Sequence, residues 1–164
     1  MPLLKNNEIV EDSWTVVGDD DAMPADGGAI VSFERWQRDR ERLLGRNAPL
    51  GLTLKSSQSP EGVEGLSAFA LVRLEFPAFT DGRAYSYARL LRDRQGYTGE
   101  IRAAGNVLRD QYAHMLRCGF DTFEVEEGAD PAEWAKSRDV VCLAYQNATD
   151  GVRAIWAKRH GRAA

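Results

Sequence analysis

The sequence predicts an α/β fold: a single domain with a mainly parallel sheet of about five βα units and an N-terminal edge strand. Three observations carry this expectation. Apolar runs of strand length alternate with helical patterns along most of the chain. The connections between them are short. Gly, Asp and Pro sit at the boundaries where caps and stops belong. Alternation of this kind gives parallel strands joined by right-handed crossovers, either as an open doubly wound sheet or as part of a barrel. A complete barrel needs about eight units and more chain than these 164 residues.

Ser13–Gly18 (SWTVVG) reads as the edge strand and Ala29–Phe33 (AIVSF) as a second. Glu34–Gly45 reads as a helix with Trp36, Leu43 and Leu44 among charges and Gly45 as its stop. Leu50–Lys55 is a strand, Pro60–Leu66 a short helix, and Leu71–Phe76 (LVRLEF) a strand. Asp81 is placed to cap a helix over Gly82–Gln95 that Gly96 closes, with Ala84, Ala88 and Leu91 on one face. Glu100–Gly105 is a strand, Val107–Cys118 a helix closed by Gly119, and Thr122–Glu126 the last strand. Asp130 caps a helix that starts at Pro131, the favoured first position for proline. Gly18–Gly28 and Ser56–Gly65 are rich in turn formers. The domain is expected over residues 1–147, with 148–164 as a mobile basic tail holding Lys158, Arg159, His160 and Arg162.

A net charge of −4 argues against a general nucleic-acid binder, which needs a basic face to neutralise phosphates. No segment approaches the ~20 apolar residues of a membrane span, and Met1–Glu11 has no signal-peptide pattern, so the expected location is cytoplasmic and no membrane partner is expected. Cys118 and Cys142 stand outside any CxxC or CxxH pattern, so no zinc, other metal or iron–sulfur site is expected, and both read as reduced cysteines in or near the core. Gly105 follows its strand without the further glycines of a dinucleotide fingerprint, and there is no P-loop. The cofactor is therefore unknown, with flavin left open.

Ligands of parallel α/β folds bind beyond the carboxyl ends of the strands. There the sequence places Lys55, then Asp81, Gly82 and Arg83, then Gly105, Arg109 and Asp110. Two of these segments join a glycine to an arginine at a helix opening, where free N–H groups and a planar guanidinium both favour an oxyanion. Lys55, Arg83, Arg102, Gly105 and Arg109 are the anion-binding candidates. Arg102, inside a strand, can instead face the mouth of the sheet or pair with Glu75 or Glu100. Asp81 and Asp110 are weak candidates for acid/base work. His114 lies mid-helix, and Cys118 at a helix C-terminus is a poor nucleophile.

Three motifs, FPAFTDGRAYSYARLLR (Phe76–Arg92), EIRAAGNVLRDQ (Glu100–Gln111) and LRCGFDTFEV (Leu116–Val125), resemble a bacterial family of domains of unknown function. Its genes commonly lie beside those for sulfite reductase, and its members are often labelled oxidoreductases of sulfite reduction. The resemblance runs from about Leu50 to Gln146. It marks Phe79, Asp81, Gly82, Arg83, Ser86, Arg102, Gly105, Arg109, Asp110, Gln111 and Cys118-Gly119-Phe120 as motif positions. It implies a place in assimilatory sulfate or sulfite reduction, where the first reading is an accessory protein that binds sulfite reductase or a small anionic sulfur intermediate through the Arg83/Arg109 face. An enzyme acting on a small anionic metabolite, or a nicotinamide- or flavin-dependent oxidoreductase of the same pathway, stays open.

Overall fold

A computed structural model describes residues 1–140, 144–152 and 154–156. The chain forms one mixed α/β domain around an eight-stranded sheet. Its strands are β1 (Leu3–Lys5), β2 (Glu8–Val10), β3 (Trp14–Val16), β4 (Gly28–Ser32), β5 (Leu50–Leu54), β6 (Leu71–Phe76), β7 (Glu100–Gly105) and β8 (Thr122–Glu124). Their spatial order is β2-β1-β8-β7-β6-β5-β4-β3. Strands β3 to β8 are parallel neighbours, and β1 pairs antiparallel with both β2 and β8.

The expected sheet of about five parallel units is corrected accordingly: it is mixed, with an N-terminal hairpin added beside the last strand. That hairpin falls in Met1–Glu11, to which the sequence reading gave no structure. Its turn residues, Asn6 and Asn7, both have positive φ (52° and 64°), the backbone that a tight two-residue hairpin loop demands. The expected edge strand is present as β3. Doubly wound topology is excluded, because such a sheet reverses direction at its first strand and this one adds each parallel strand on the same side. Right-handed crossovers then place the connecting helices on one face.

The sheet also has to curl. Its two edge strands, β2 and β3, are joined by residues 11–13 alone. Extended chain covers at most about 14 Å from Val10 to Trp14. Eight flat strands would set the edges roughly 34 Å apart. The three-residue strap can bridge them only if the sheet bends toward a half-barrel.

The helices are α1 (Phe33–Leu44), α2 (Arg83–Arg89, running on into a wide turn over Leu90–Arg94), α3 (Tyr112–Cys118) and α4 (Pro131–Asp139). Ser32 caps α1 by accepting from the Arg35 N–H at 3.0 Å, and Gly45 ends it. Asp130 caps α4 from the predicted position, accepting from the Ala132 N–H at 2.9 Å. Pro60–Leu66 resolves into two short 3-10 turns, Pro60–Gly62 and Leu66–Ala68. The helix expected from Val107 starts later: a 3-10 turn covers Arg109–Gln111 and α3 begins at Tyr112.

Strand alternation sorts the side chains. Leu52, Leu54, Val72, Leu74, Phe76, Ile101, Ala103 and Phe123 turn toward the helices and join Trp36, Leu43, Ala88, Leu91, Tyr112 and Met115 in one core. Each large side chain buried there contributes about 1.5–3 kcal/mol. The opposite, inner face carries Ile30, Gly51, Thr53, Leu71, Arg73, Glu75, Arg102, Ala104, Thr122 and Glu124 in register.

Cys142 and the tail residues Lys158, Arg159, His160 and Arg162 lie outside the described residues. Within the described part of 148–164, Thr149 donates to the Arg117 carbonyl at 2.8 Å and Ala154 is fully buried. No helix among the described residues is long and apolar enough to cross a membrane.

Candidate functional site

Strands β6 and β7 are neighbours, with Phe76 opposite Gly105, so the loops after them leave the same rim side by side. Gly105 makes this close exit possible. Its φ is +86°, and an added Cβ would lie 2.5 Å from the Phe76 carbonyl oxygen. The Asn106 N–H uses that space to donate to the same oxygen at 2.8 Å.

Three of the predicted cations, Lys55, Arg83 and Arg109, reach this rim, but each is held by a carboxylate of the protein. Arg83 grips Asp81 through two hydrogen bonds, Nε to Oδ1 at 2.9 Å and Nη2 to Oδ2 at 2.6 Å, and also donates to Ser56 Oγ at 2.9 Å. Asp81 accepts the Arg83 N–H as well, at 3.2 Å. Lys55 pairs with Glu34 at 2.8 Å, and Arg109 with Glu133 at 3.0 Å. The chemistry follows from these pairings. The Arg83 guanidinium holds the Asp81 carboxyl well below the usual carboxylate range, which makes it a weak base. The Lys55 ammonium lowers Glu34, and Lys136 first, then Arg109, lowers Glu133.

The sign of the Asp81 effect is testable. A carboxyl with a depressed folded pKa stabilises the fold fully above its unfolded value, near pH 4, and loses that contribution as pH falls through the folded value. The Asp81 carboxyl carbon, followed by NMR, is expected to titrate below pH 3.9, and Arg83→Gln to return it to about that value. An Asp81 midpoint at or above the ordinary one in the unmodified protein would contradict the pairing.

Gly105, Arg109 and Asp110 line a cleft of about 660 Å³ beyond β7 and β8. Its other charged walls are Glu124, Glu126, Asp130 and Glu133, so carboxylates outnumber its one guanidinium. Asp110 is exposed at its edge. Small anions are repelled from such a wall rather than collected by it.

Arg102 is not part of this rim. It lies on the inner face, 1% exposed, beside its register partner Arg73 on β6. The two like charges diverge to separate carboxylates. Arg73 donates to Glu124 Oε1 and Oε2 at 2.7 and 2.8 Å and to Glu75 at 2.8 Å. Reaching Glu124 on β8 takes the guanidinium across β7, where the small side chain of Ala104 leaves room. Burial opposes the Arg73 charge, but Glu124 and Glu75 outweigh it and its pKa is raised. Arg102 donates to Asp12 at 2.8 and 3.2 Å and to Glu100 at 3.1 and 3.3 Å. Glu100 also accepts from Thr122 Oγ1 at 2.8 Å and pairs with Lys5 at 3.5 Å.

Sequence reading missed Arg73, Glu124 and Asp12 in this network. The signal lay in the alternation of LVRLEF and EIRAAG, where a charge at every second position of a strand marks a polar face. Nothing in the sequence pairs Asp12 with a residue ninety positions away.

Cys118 Sγ lies 3.7 Å from His114 Nε2, but the cysteine is 4% exposed and burial pushes its thiol pKa up, so it is not held as a thiolate. Burial first, then Arg117 and Arg89, lowers the His114 pKa. Among the described residues no group of His, Cys, Asp and Glu is placed to hold a metal ion.

Beside the paired cations the rim exposes apolar side chains. Phe79 is 56% exposed on a loop, Pro77–Thr80, that is exposed throughout, and Leu108 is 38% exposed on the neighbouring loop. A family model described as a bacterial protein of unknown function (DUF934) matches residues 51–156 and so spans every rim residue named above except Glu34. No curated protein matches the chain.

Proposed function

This chain belongs to that bacterial family of unknown function, and on that premise we propose that it is an accessory protein of assimilatory sulfite reduction that docks sulfite reductase through the rim after β6 and β7. The observation that carries the reading is the exposed Phe79 on the loop after β6, next to the loop after β7 that bears Leu108, with Arg83 and Arg109 on the same two connections and each closed on a carboxylate. An aromatic side chain held out on a loop costs solvation and suits an anchor in a partner's pocket. Ion pairs closed within the protein also form the polar edge that such an interface needs. Capture of a small anion would need Asp81 to leave Arg83, or Glu133 to leave Arg109. The pathway comes from the resemblance of the three motifs spanning Phe76–Arg92, Glu100–Gln111 and Leu116–Val125.

The test uses purified protein and purified assimilatory sulfite reductase in size-exclusion co-elution and titration. A complex is expected, and Phe79→Asp is expected to weaken it at least tenfold, roughly 1.4 kcal/mol or more, without changing the circular dichroism of the free protein. No complex at about 50 µM of each partner, well above the micromolar range of ordinary specific contacts, would overturn the reading.

A further inference from the structure

We propose that the strap of residues 11–13 is a lid over an oxyanion site on the inner sheet face, and that the Asp12 carboxylate occupies this site in place of a free ligand. The site centres on Arg102, with Glu100, Thr122 and Lys5 around it. Asp12 meets the outer edge of the Arg102 guanidinium with one oxygen on each terminal nitrogen, at 2.8 and 3.2 Å. Two oxygens of a carboxylate, sulfite or sulfate satisfy the same pair of donors. The remaining donors of Arg102 are held by Glu100, which Thr122 and Lys5 steady in turn. Once Asp12 withdraws, Arg102 keeps Glu100 alone, and the two donors that held Asp12 are freed. A charge buried to 1% exposure demands partners, and the fold supplies one of them, Asp12, from a connection outside the sheet.

The strap is built to lift. Glu11, Asp12 and Ser13 are all exposed, and Asp12 accepts its side-chain hydrogen bonds from Arg102 and from the Trp14 N–H, the latter at 3.1 Å. Both flanking strands are three residues long and lie at sheet edges. Such segments open at a small fraction of the cost of global unfolding. An oxyanion and Asp12 therefore compete for one guanidinium, and binding is coupled to release of the strap. This inference does not rest on partner docking, since the rim residues Phe79 and Leu108 take no part in it.

Asp12→Asn keeps the shape of the strap and removes its charge. In isothermal titration at fixed ionic strength, Asp12→Asn is expected to bind sulfite, sulfate or acetate at least tenfold more tightly than the unmodified protein, and the preferred anion identifies the ligand's source. Adding Arg102→Gln is expected to abolish the gain. Hydrogen exchange on the unmodified protein gives a second reading that needs no variant: sulfite or sulfate, but not chloride at equal ionic strength, is expected to speed exchange of the amides of residues 11–16. Unchanged affinity in Asp12→Asn, a gain that survives Arg102→Gln, or strap exchange that ignores both sulfite and sulfate would overturn the proposal.

Discussion

Replacing Arg102 by Met is expected to destabilise the protein by about 3 kcal/mol, because it strands two carboxylates that have been drawn against a buried guanidinium. Arg102 is 1% exposed, while Asp12 and Glu100 keep 32% and 19% of their side-chain exposure. Water can therefore recover part of what the two acids lose, which places the cost at the lower end of the usual range for breaking a buried pair. In a domain of this size the change corresponds to a fall in Tm of roughly 6–12 °C. Chemical denaturation reads it directly, with an unchanged m-value expected. Adding Asp12→Asn to Arg102→Met removes one stranded charge and is expected to return about 1 kcal/mol, a coupling that a double-mutant cycle isolates. A loss below about 1 kcal/mol in the single variant would mean that the inner-face network contributes little to stability.

Gly105→Ala is the second large effect, expected at about 2–4 kcal/mol. Two penalties act together. A side chain at φ +86° is strained wherever it sits, at about 1 kcal/mol or more. The new Cβ would also meet the Phe76 carbonyl oxygen at 2.5 Å, a backbone atom that no rotamer change can move aside. Relief requires β6 and β7 to part at their carboxyl ends, which breaks the Asn106 N–H to Phe76 bond and shifts the loops bearing Phe79 and Leu108. Denaturation would show the loss of stability, and titration against sulfite reductase would show weaker docking than stability alone accounts for. Gly128, also at positive φ but with no heavy atom within 4 Å of an added Cβ, is the matched control: Gly128→Ala is expected to cost only the backbone part.

What the sequence made legible was local. Strands β6 and β7 have the predicted bounds, because each is a strand-length run flanked by turn formers. Caps at Ser32 and Asp130 are one-residue features with a direct physical reason, although only the second was predicted. Hidden features depended on contacts between distant residues. Three-residue strands such as β1 and β2 carry too few residues for a period to show, and they exist because β8 and its neighbours provide a ladder. The α3 start moved five residues from its expected place because the chain first has to climb out of the tight exit that Gly105 creates.

The candidate site shows the same division. Sequence placed Lys55, Arg83, Gly105 and Arg109 at one end of the sheet by the general rule for parallel strands, and they are there. Two of the three carboxylates that wait for these cations, Glu34 and Glu133, it could not show. Of these pairings, only Arg83–Asp81 is close enough in sequence to anticipate; the others join residues more than twenty positions apart.

The position of β1 beside β8 also fixes an order of events during synthesis. Residues 3–5 are made well before their partners at 122–124. Until then the hairpin has no ladder to join, because an isolated two-stranded ribbon is marginal in water. The parallel strands can grow one after another as they emerge, each beside its predecessor, while residues 3–10 wait at the margin. The β1–β8 ladder joins segments made far apart in time, and its high sequence separation makes it a slow step of assembly.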